Sequence, residues 1–131
     1  MPVVGPYHHV HLLSPDPDAA AEWYVMFLGA ETVDKGELRG FYNVRLKIGD
    51  ANLYIRAAAE GEAVAESDGT RRHGIDHFCF VVEGIDRMLR QIEDKGGRIT
   101  VPLFTLPNGN RGAYVEGPHR ETIELLELKK G

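Results

Sequence analysis

The sequence predicts an α+β protein made of two copies of one β-α-β-β-β module, and three observations support this. An apolar segment that begins with histidine occurs twice, as His9–Leu13 and as His77–Val82. A helical run ending at glycine follows each copy, and three short segments typical of strands follow each helix. Such internal similarity indicates a duplicated unit. The whole chain is therefore expected to form one domain, with module one at 5–57, a linker at 58–74 and module two at 75–131.

Capping residues and apolar stripes define the two helices. The first is predicted from Pro17 to Leu28, because Asp16 suits the N-cap and proline is tolerated at the first helical position. The second is predicted from about Ile85 to Lys95, where Gly96 provides a C-terminal stop.

Eight strands complete the two modules. Gly49-Asp50 and Asn108-Gly109 are turn signals between consecutive strands. The segment between the modules is polar and rich in small residues, so it is expected to be a mobile linker. The predicted strands are Tyr7–Leu13, Thr32–Glu37, Phe41–Ile48, Asn52–Ala57, Ile75–Val82, Arg98–Phe104, Arg111–Glu116 and Thr122–Leu128.

Composition and charge limit the classes of function. Hydrophobic residues make up 43% of the chain and charged residues 27%, as in ordinary globular proteins. The net charge of −5 disfavours non-specific binding to nucleic acid or to an anionic membrane. No apolar run approaches the roughly 20 residues of a membrane helix, and no signal peptide is recognised. We expect a cytoplasmic protein with a small-molecule substrate, and with no nucleic-acid or membrane partner.

Strand alternation places several reactive side chains on one face. Ile123 and Leu125 suit the face covered by a helix, which puts Glu124 on the opposite, concave face. The same reasoning excludes His8 from that face. The residues expected to share the concave face are His9, His11, Tyr54, Arg56, His77, Cys79 and Glu124.

Two imidazoles and one carboxylate form a known donor set for a divalent metal ion. His9 and His77 stand at equivalent places in the repeat, and Glu124 supplies the carboxylate. We expect these three residues to be the metal ligands and to leave positions open for substrate oxygens. The ion is Fe, Mn, Ni, Co or Zn, and the sequence does not distinguish among them.

Three residues are candidates for the chemistry itself. His11, one pleat beyond His9, is either a general acid or base or a residue that only lines the pocket. Tyr54 either binds substrate through its hydroxyl or forms the pocket wall. Glu124 is a candidate base if it leaves the metal.

Other residues are candidates for substrate contacts. Arg56, Arg111 and Arg120 have the guanidinium groups that bind carboxylate or phosphate through paired hydrogen bonds, and Arg111 begins a strand expected at the pocket rim. Tyr114 is expected to line the cavity. Cys79, the single cysteine, is either a buried inert thiol near the metal or a reactive one.

These motifs together resemble the vicinal oxygen chelate superfamily, which includes glyoxalase I, bleomycin-resistance proteins and extradiol dioxygenases. The resemblance implies cupped, partly closed mixed-strand barrels around a metal site, with His9, His77 and Glu124 as ligands. It also implies a homodimer, often with sites shared between two subunits. The matching segments are His9-Val10-His11-Leu12, Glu22-Trp23-Tyr24, Phe27-Leu28-Gly29, Asp76–Val82 and Gly117–Leu125.

The chain departs from the family pattern at two places. Gly117-Pro118-His119-Arg120-Glu121 stands where the family often shows Asp-Pro-x-Gly-Asn. Tyr54 stands where glyoxalase I and the related epimerase place a fourth ligand, Glu or Gln. A protonated tyrosine is a poor metal ligand near neutral pH.

Three functions remain open at this point. The resemblance and the donor set favour a metal-dependent enzyme of the glyoxalase kind, a lyase or isomerase that chelates a small oxygenated substrate and stabilises an enolate-type intermediate. The alternative is an Fe(II)-dependent extradiol-type dioxygenase with a two-His-one-Glu site. The second alternative is a non-catalytic protein that sequesters a drug.

Overall fold

A computed structural model describes residues 2–131 and confirms the α+β class. Within these residues the elements follow one another as β-α-β-β-β, and this order is repeated once, as the sequence predicts. The elements are β1 (Val10–Leu13), α1 (Pro17–Leu28), β2 (Glu31–Leu38), β3 (Phe41–Ile48), β4 (Ala51–Arg56), β5 (Phe78–Val81), α2 (Ile85–Asp94), β6 (Ile99–Thr105), β7 (Arg111–Glu116) and β8 (Thr122–Glu127).

Each module folds its four strands into one mixed sheet, and the two sheets have corresponding strand orders. The order is β1-β4-β3-β2 in module one and β5-β8-β7-β6 in module two. The first strand of each module runs parallel to the last, whereas the other neighbours are antiparallel. Each sheet is cupped and open. The last strand of each module therefore lies between the first and the third, with neighbours on both sides.

One helix packs against each sheet and buries an apolar core. Helix α1 lies on β3 and β4, and α2 lies on β6 and β8. Burying one large apolar side chain stabilises the fold by about 1.5–3 kcal/mol, so these contacts position the strands that carry the site. The fully buried core residues include Tyr24, Leu46, Leu53 and Ile55 in module one and Ile85, Ile92, Ile123 and Leu125 in module two.

The helix ends follow from local capping. Asp16 accepts a hydrogen bond from the Ala19 amide at 3.1 Å, and Gly29 ends α1 in the left-handed conformation at φ 71°. Helix α2 has no side-chain cap of its own at Gly84. Instead, Glu127 of β8 accepts from the Ile85 amide at 3.0 Å, which ties the helix start to the sheet.

The first strand of each module is shorter than predicted. The expected starts at Tyr7 and Ile75 are wrong, because β1 begins at Val10 and β5 at Phe78. Both strands depend on a parallel partner. The β5 ladder starts at Phe78 paired with Ile123, and β8 itself begins only one residue earlier. His9 and His77 consequently lie just outside the strands that position them.

The chain divides into a unit that ends at Ala65 and a unit of Glu66–Gly131. Residues 57–77 form neither helix nor strand. The later part of this segment is attached to module two, because Arg120 Nη1 donates a hydrogen bond to the Asp68 carbonyl at 2.7 Å. Of the residues described, neither helix is long and apolar enough to cross a membrane.

Two arginines adopt the left-handed backbone conformation that favours glycine. Arg39 has φ 56° in the turn between β2 and β3, and Arg120 has φ 63° where the family pattern shows glycine. An L-residue with a side chain costs about 1–2 kcal/mol in this region. The loop before β8 thus keeps a glycine-like backbone in spite of its different sequence.

Replacing Arg39 with glycine is expected to raise the free energy of unfolding by up to about 1 kcal/mol, since the relief of strain exceeds the added flexibility of the unfolded chain. Arg120→Gly is expected to raise the free energy of unfolding by less, because it also removes the hydrogen bond to the Asp68 carbonyl. In the Arg120→Gly variant, trypsin is expected to cut the segment between the modules at Arg71 and Arg72 faster than in the wild type. Denaturant unfolding and timed proteolysis measure both effects. Equal linker cleavage in the two variants would show that Arg120 does not restrain the segment.

Candidate metal centre

Three strands of module two bring three side chains next to one another. The register pairs Cys79 of β5 with Glu124 of β8, and Glu124 with Tyr114 of β7. Ile123 and Leu125 on either side of Glu124 are fully buried on the face covered by α2. Because side chains alternate along a strand, Glu124, Cys79 and Tyr114 lie on the opposite face.

The His77 ring links two carboxylates. Its Nε2 lies 2.9 Å from Glu124 Oε1, and its Nδ1 lies 2.7 Å from Asp76 Oδ2. The hydrogen bond to Asp76 and the carboxylate of Glu124 raise the pKa of His77, although partial burial opposes them. Asp76 is in turn paired with Arg71 at 2.9 Å. Asp76 therefore keeps the Nδ1 proton of neutral His77 and turns Nε2 toward Glu124.

The His77–Glu124 pair has the spacing of two ligands of one divalent ion. A lone pair on Nε2 and a carboxylate oxygen repel each other unless a proton or a cation lies between them. Two ligand atoms about 2.1 Å from one ion, and at right angles around it, are about 3 Å apart. The observed 2.9 Å is the length of a hydrogen bond from protonated His77 to Glu124, and it is also close to this spacing, so the two side chains are compatible with ligands of one divalent ion.

Aromatic side chains stand beside this pair. Tyr114 lies 5.0 Å from His77 between ring centroids, and Phe104 lies 5.9 Å from Tyr114. A Cβ at Gly112 would be 2.7 Å from the Phe104 ring and 3.3 Å from Glu124 Oε2. Gly112 therefore lets the Phe104 ring lie close to the Glu124 carboxylate. Phe104 and Gly112 were not predicted from the sequence, because their closeness depends on the pairing of β6 with β7.

Cys79 shares the face of Glu124 but has an inactive thiol. Burial of the sulfur, together with the neighbouring Glu124 carboxylate, raises the pKa of the thiol to about 11. The residue as a whole is exposed, so the expectation of a buried cysteine is wrong. A thiol that is protonated near neutral pH is a weak nucleophile.

Module one gathers a cluster of rings. His9 stacks on Tyr54 with ring centroids 4.4 Å apart, and His11 lies 5.8 Å from Tyr54. Partial burial, with His8 and His11 nearby, lowers the pKa of His9. His9 is therefore favoured as the neutral imidazole, the form that binds metals.

His8 lies closer to this cluster than the sequence indicated. Its Nδ1 is 2.8 Å from His9 Nδ1, and its ring is 6.4 Å from Tyr54. The expectation that His8 faces away is wrong, because the strict alternation of a strand begins only at Val10. The Nδ1–Nδ1 bond leaves Nε2 of His9 as the nitrogen available to a ligand.

The two sheets place corresponding residues in corresponding positions. The register pairs His11 with Tyr54 in module one, and Cys79 with Glu124 in module two. His9 stands two residues before His11, and His77 stands two residues before Cys79. His9 is therefore the counterpart of His77. Tyr54 is then the counterpart of Glu124, as the sequence indicated, and a tyrosine stands where a symmetrical site would have a second carboxylate.

The structure gathers part of the predicted ligand set. His77 and Glu124 contact each other within module two, whereas His9 belongs to module one. Within residues 2–131, no three His, Cys, Asp or Glu side chains form a group that could hold a metal ion.

Two of the three arginines that were candidates for substrate contacts, Arg56 and Arg111, are engaged in ion pairs. Arg111 lies on the face of β7 that α2 covers, 2.5 Å from Glu127 and 2.9 Å from Asp86. Its position two residues before Ala113, which is fully buried, explains this orientation. Arg56 binds Glu62 through two nitrogens at 2.7 and 3.0 Å. These contacts assign both arginines a structural role.

The Arg56–Glu62 pair predicts a pH dependence of stability. Arg56 and the Ala59 amide lower the pKa of Glu62 from 4.5 to about 2. A lowered pKa in the folded state stabilises the fold above pH 4.5, and this contribution is lost as the pH falls toward 2. The Tm advantage of the wild type over Glu62→Gln is therefore expected to shrink across that range. An exposed neighbour, Glu60→Gln, serves as control, and a constant wild-type advantage would contradict the pairing.

Comparison with known proteins agrees with the architecture. Residues 7–125 match the family model described as the Glyoxalase/Bleomycin resistance protein/Dioxygenase superfamily. The chain belongs to this superfamily. The chain is 24% identical over 123 residues to the uncharacterized protein YwkD of Bacillus subtilis (strain 168), covering 92% of this chain and 94% of that protein.

Several solved structures have a fold similar to that of this chain. The crystal structure of SMU.1112c has a TM-score of 0.79 and 26% identity, covering 95% of this chain and 100% of that one. A glyoxalase I variant from Zea mays has a TM-score of 0.75 and 19% identity, covering 93% of this chain and 45% of that one. At that identity, the maize enzyme supports the fold alone.

Proposed function

We propose that this superfamily member is a divalent-metal-dependent enzyme with lyase or isomerase activity of the glyoxalase kind. The observation that carries the proposal is the His77–Glu124 pair, 2.9 Å apart, with Asp76 on the other nitrogen of His77. A carboxylate behind a ligating histidine is the usual outer support of a metal site. His9 is proposed as the third ligand, because it stands at the position in module one that corresponds to His77 in module two.

A bound divalent ion would polarise the oxygens of a small substrate and stabilise negative charge that develops on them. His77 and Glu124 would hold the ion, and Asp76 would keep His77 oriented. His11 would move the proton as general acid or base, since it lies on the same face as Tyr54 and 5.7 Å from His9. Tyr54 would form part of the wall beside His9, and Tyr114 and Phe104 would provide an apolar wall beside Glu124.

A second candidate is an Fe(II)-dependent extradiol-type dioxygenase, and Tyr54 is the observation that favours it. Because a tyrosine, Tyr54, stands at the position equivalent to Glu124, the proposed donor set is two histidines and one glutamate without a second carboxylate. That set, with open positions, is typical of non-haem Fe(II) oxygenases.

We also propose that two copies of the chain associate. Exposed apolar side chains lie at equivalent places on the first strand of each module or just before it: Tyr7 and Ile75 are 82% and 81% exposed, and Leu13 and Val81 are 40% and 63% exposed. Strands β1 and β5 are also the outer strands of their sheets, and proteins usually cover such edges. Sedimentation of wild type and Val81→Asp tests this. If the wild type and Val81→Asp both sediment as monomers, the association is refuted.

Metal analysis tests the enzyme proposal first. Protein purified without chelators is expected to contain, or to take up on titration, a stoichiometric divalent metal. The loaded protein is then assayed with the thiol adducts of 2-oxoaldehydes and, after anaerobic Fe(II) loading, with catechols and oxygen. Activity on the thiol adducts supports a lyase or isomerase of the glyoxalase kind. Oxygen uptake with a ring-opened product from catechol supports the dioxygenase. Absence of any metal affinity would refute both and favour sequestration of a drug.

A further inference from the structure

We propose that Asn43 is a positioning residue that holds His11 in one tautomer, with the proton on Nε2 and the lone pair on Nδ1. The inference deepens the proposed function, because it rests on His11 acting on substrate. It identifies the atom of His11 that would accept a hydrogen bond from bound substrate.

Asn43 lies on β3, on the same sheet face as Tyr54 and Arg56. The register pairs it with Arg56, so β4 separates it from His11 on β1. Its side-chain Oδ1 lies 2.8 Å from His11 Nε2. The residue is only 5% exposed, whereas His11 is exposed. The His11 ring thus reaches across one strand to a buried amide.

The orientation of the amide decides which atom donates. Asn43 Nδ2 donates to the Phe41 carbonyl at 3.2 Å. A carbonyl only accepts, so the nitrogen of the amide must face Phe41 and the oxygen must face His11. An amide oxygen only accepts as well. Nε2 of His11 must therefore carry a proton, and the neutral ring has its lone pair on Nδ1.

The fold itself does not require this pair. In module two, the position equivalent to Asn43 is Gly112, and the position equivalent to His11 is Cys79. The same sheet is thus built there without a buried amide and without an imidazole. A polar side chain buried in one module only, with both of its hydrogen-bonding groups used, points to a role for the ring that it orients.

Nuclear magnetic resonance of metal-free protein with 15N-labelled histidine tests the inference. His11→Gln assigns the His11 signals by their loss. The variants are Asn43→Ala, which removes the acceptor, and Asn43→Asp, which keeps one. Val44→Ala is the matched control, because Val44 is fully buried on the other face of β3 and its truncation loosens the core without removing the acceptor.

Wild-type His11 is expected to show one tautomer, with a slowly exchanging proton on Nε2. Asn43→Ala is expected to lose that proton signal and to mix the two tautomers, while Asn43→Asp and Val44→Ala keep the proton signal. A wild-type pattern in Asn43→Ala, loss of the pattern in Val44→Ala, or a proton on Nδ1 in the wild type would overturn the inference. Since the protein carries no metal in this experiment, failure of the proposed enzyme activity leaves its outcome unaffected.

Discussion

Replacing Glu124 with glutamine is expected to weaken divalent-cation binding by about 100-fold or more. Glutamine keeps the size of the side chain but removes the negative charge that faces His77 Nε2 at 2.9 Å. Loss of an outer partner of a metal ligand already costs about 10- to 100-fold in affinity, and a carboxylate ligand contributes more. Calorimetric titration of the metal-free protein with Co²⁺ measures the change.

Glu127→Gln is the matched control for this experiment. Glu127 lies on the same strand but on the opposite face, where it binds Arg111 and the Ile85 amide. The control is expected to lower stability while leaving the affinity for Co²⁺ within about 2-fold of wild type, inside the usual scatter of such measurements. Equal loss of affinity in both variants would mean that the metal does not depend on the Glu124 carboxylate.

Truncating Ile123 to alanine is expected to lower the free energy of unfolding by about 2–5 kcal/mol. Ile123 is fully buried, and the register places it between Phe78 of β5 and Val115 of β7. The substitution removes apolar contacts under α2 and leaves a cavity behind the strand that carries Glu124. Denaturant unfolding followed by circular dichroism measures the loss.

The comparison for Ile123 is Leu128→Ala. Leu128 follows β8 and is 50% exposed, so its truncation is expected to change stability by about 0.5 kcal/mol or less. A loss as large as that of Ile123→Ala would contradict the assignment of the core to the α2 side of the sheet. A negligible loss in Ile123→Ala would contradict it as well.

Much of the fold was predictable because its signals are local. Pro17 and Gly29 mark the ends of α1, and the predicted bounds of this helix agree with the structure. Alternation along β8 was enough to separate Glu124 from Ile123 and Leu125. The duplicated pattern also predicted the equivalence of His9 and His77, which the strand registers reproduce.

Other features depend on contacts between distant residues. Nothing local to Asn43 indicates that it would be buried and bonded to His11, since the two are brought together only by the order of strands in the sheet. The position of His8 depends on where β1 loses its partner. Arg111 is a different case, because it stands two residues before the buried Ala113 and therefore shares its helix-covered face. This local signal was overlooked when Arg111 was predicted to contact substrate at the pocket rim.

The most direct test of the central claim, that two histidines and Glu124 hold a divalent metal, is Co²⁺ titration of three single-histidine variants. His9→Ala and His77→Ala are each expected to lose most of the affinity of the wild type. His11→Ala is expected to keep it, although its ring lies 5.7 Å from that of His9. Wild-type affinity in His9→Ala or His77→Ala, or its loss in His11→Ala, would contradict the proposed ligand set.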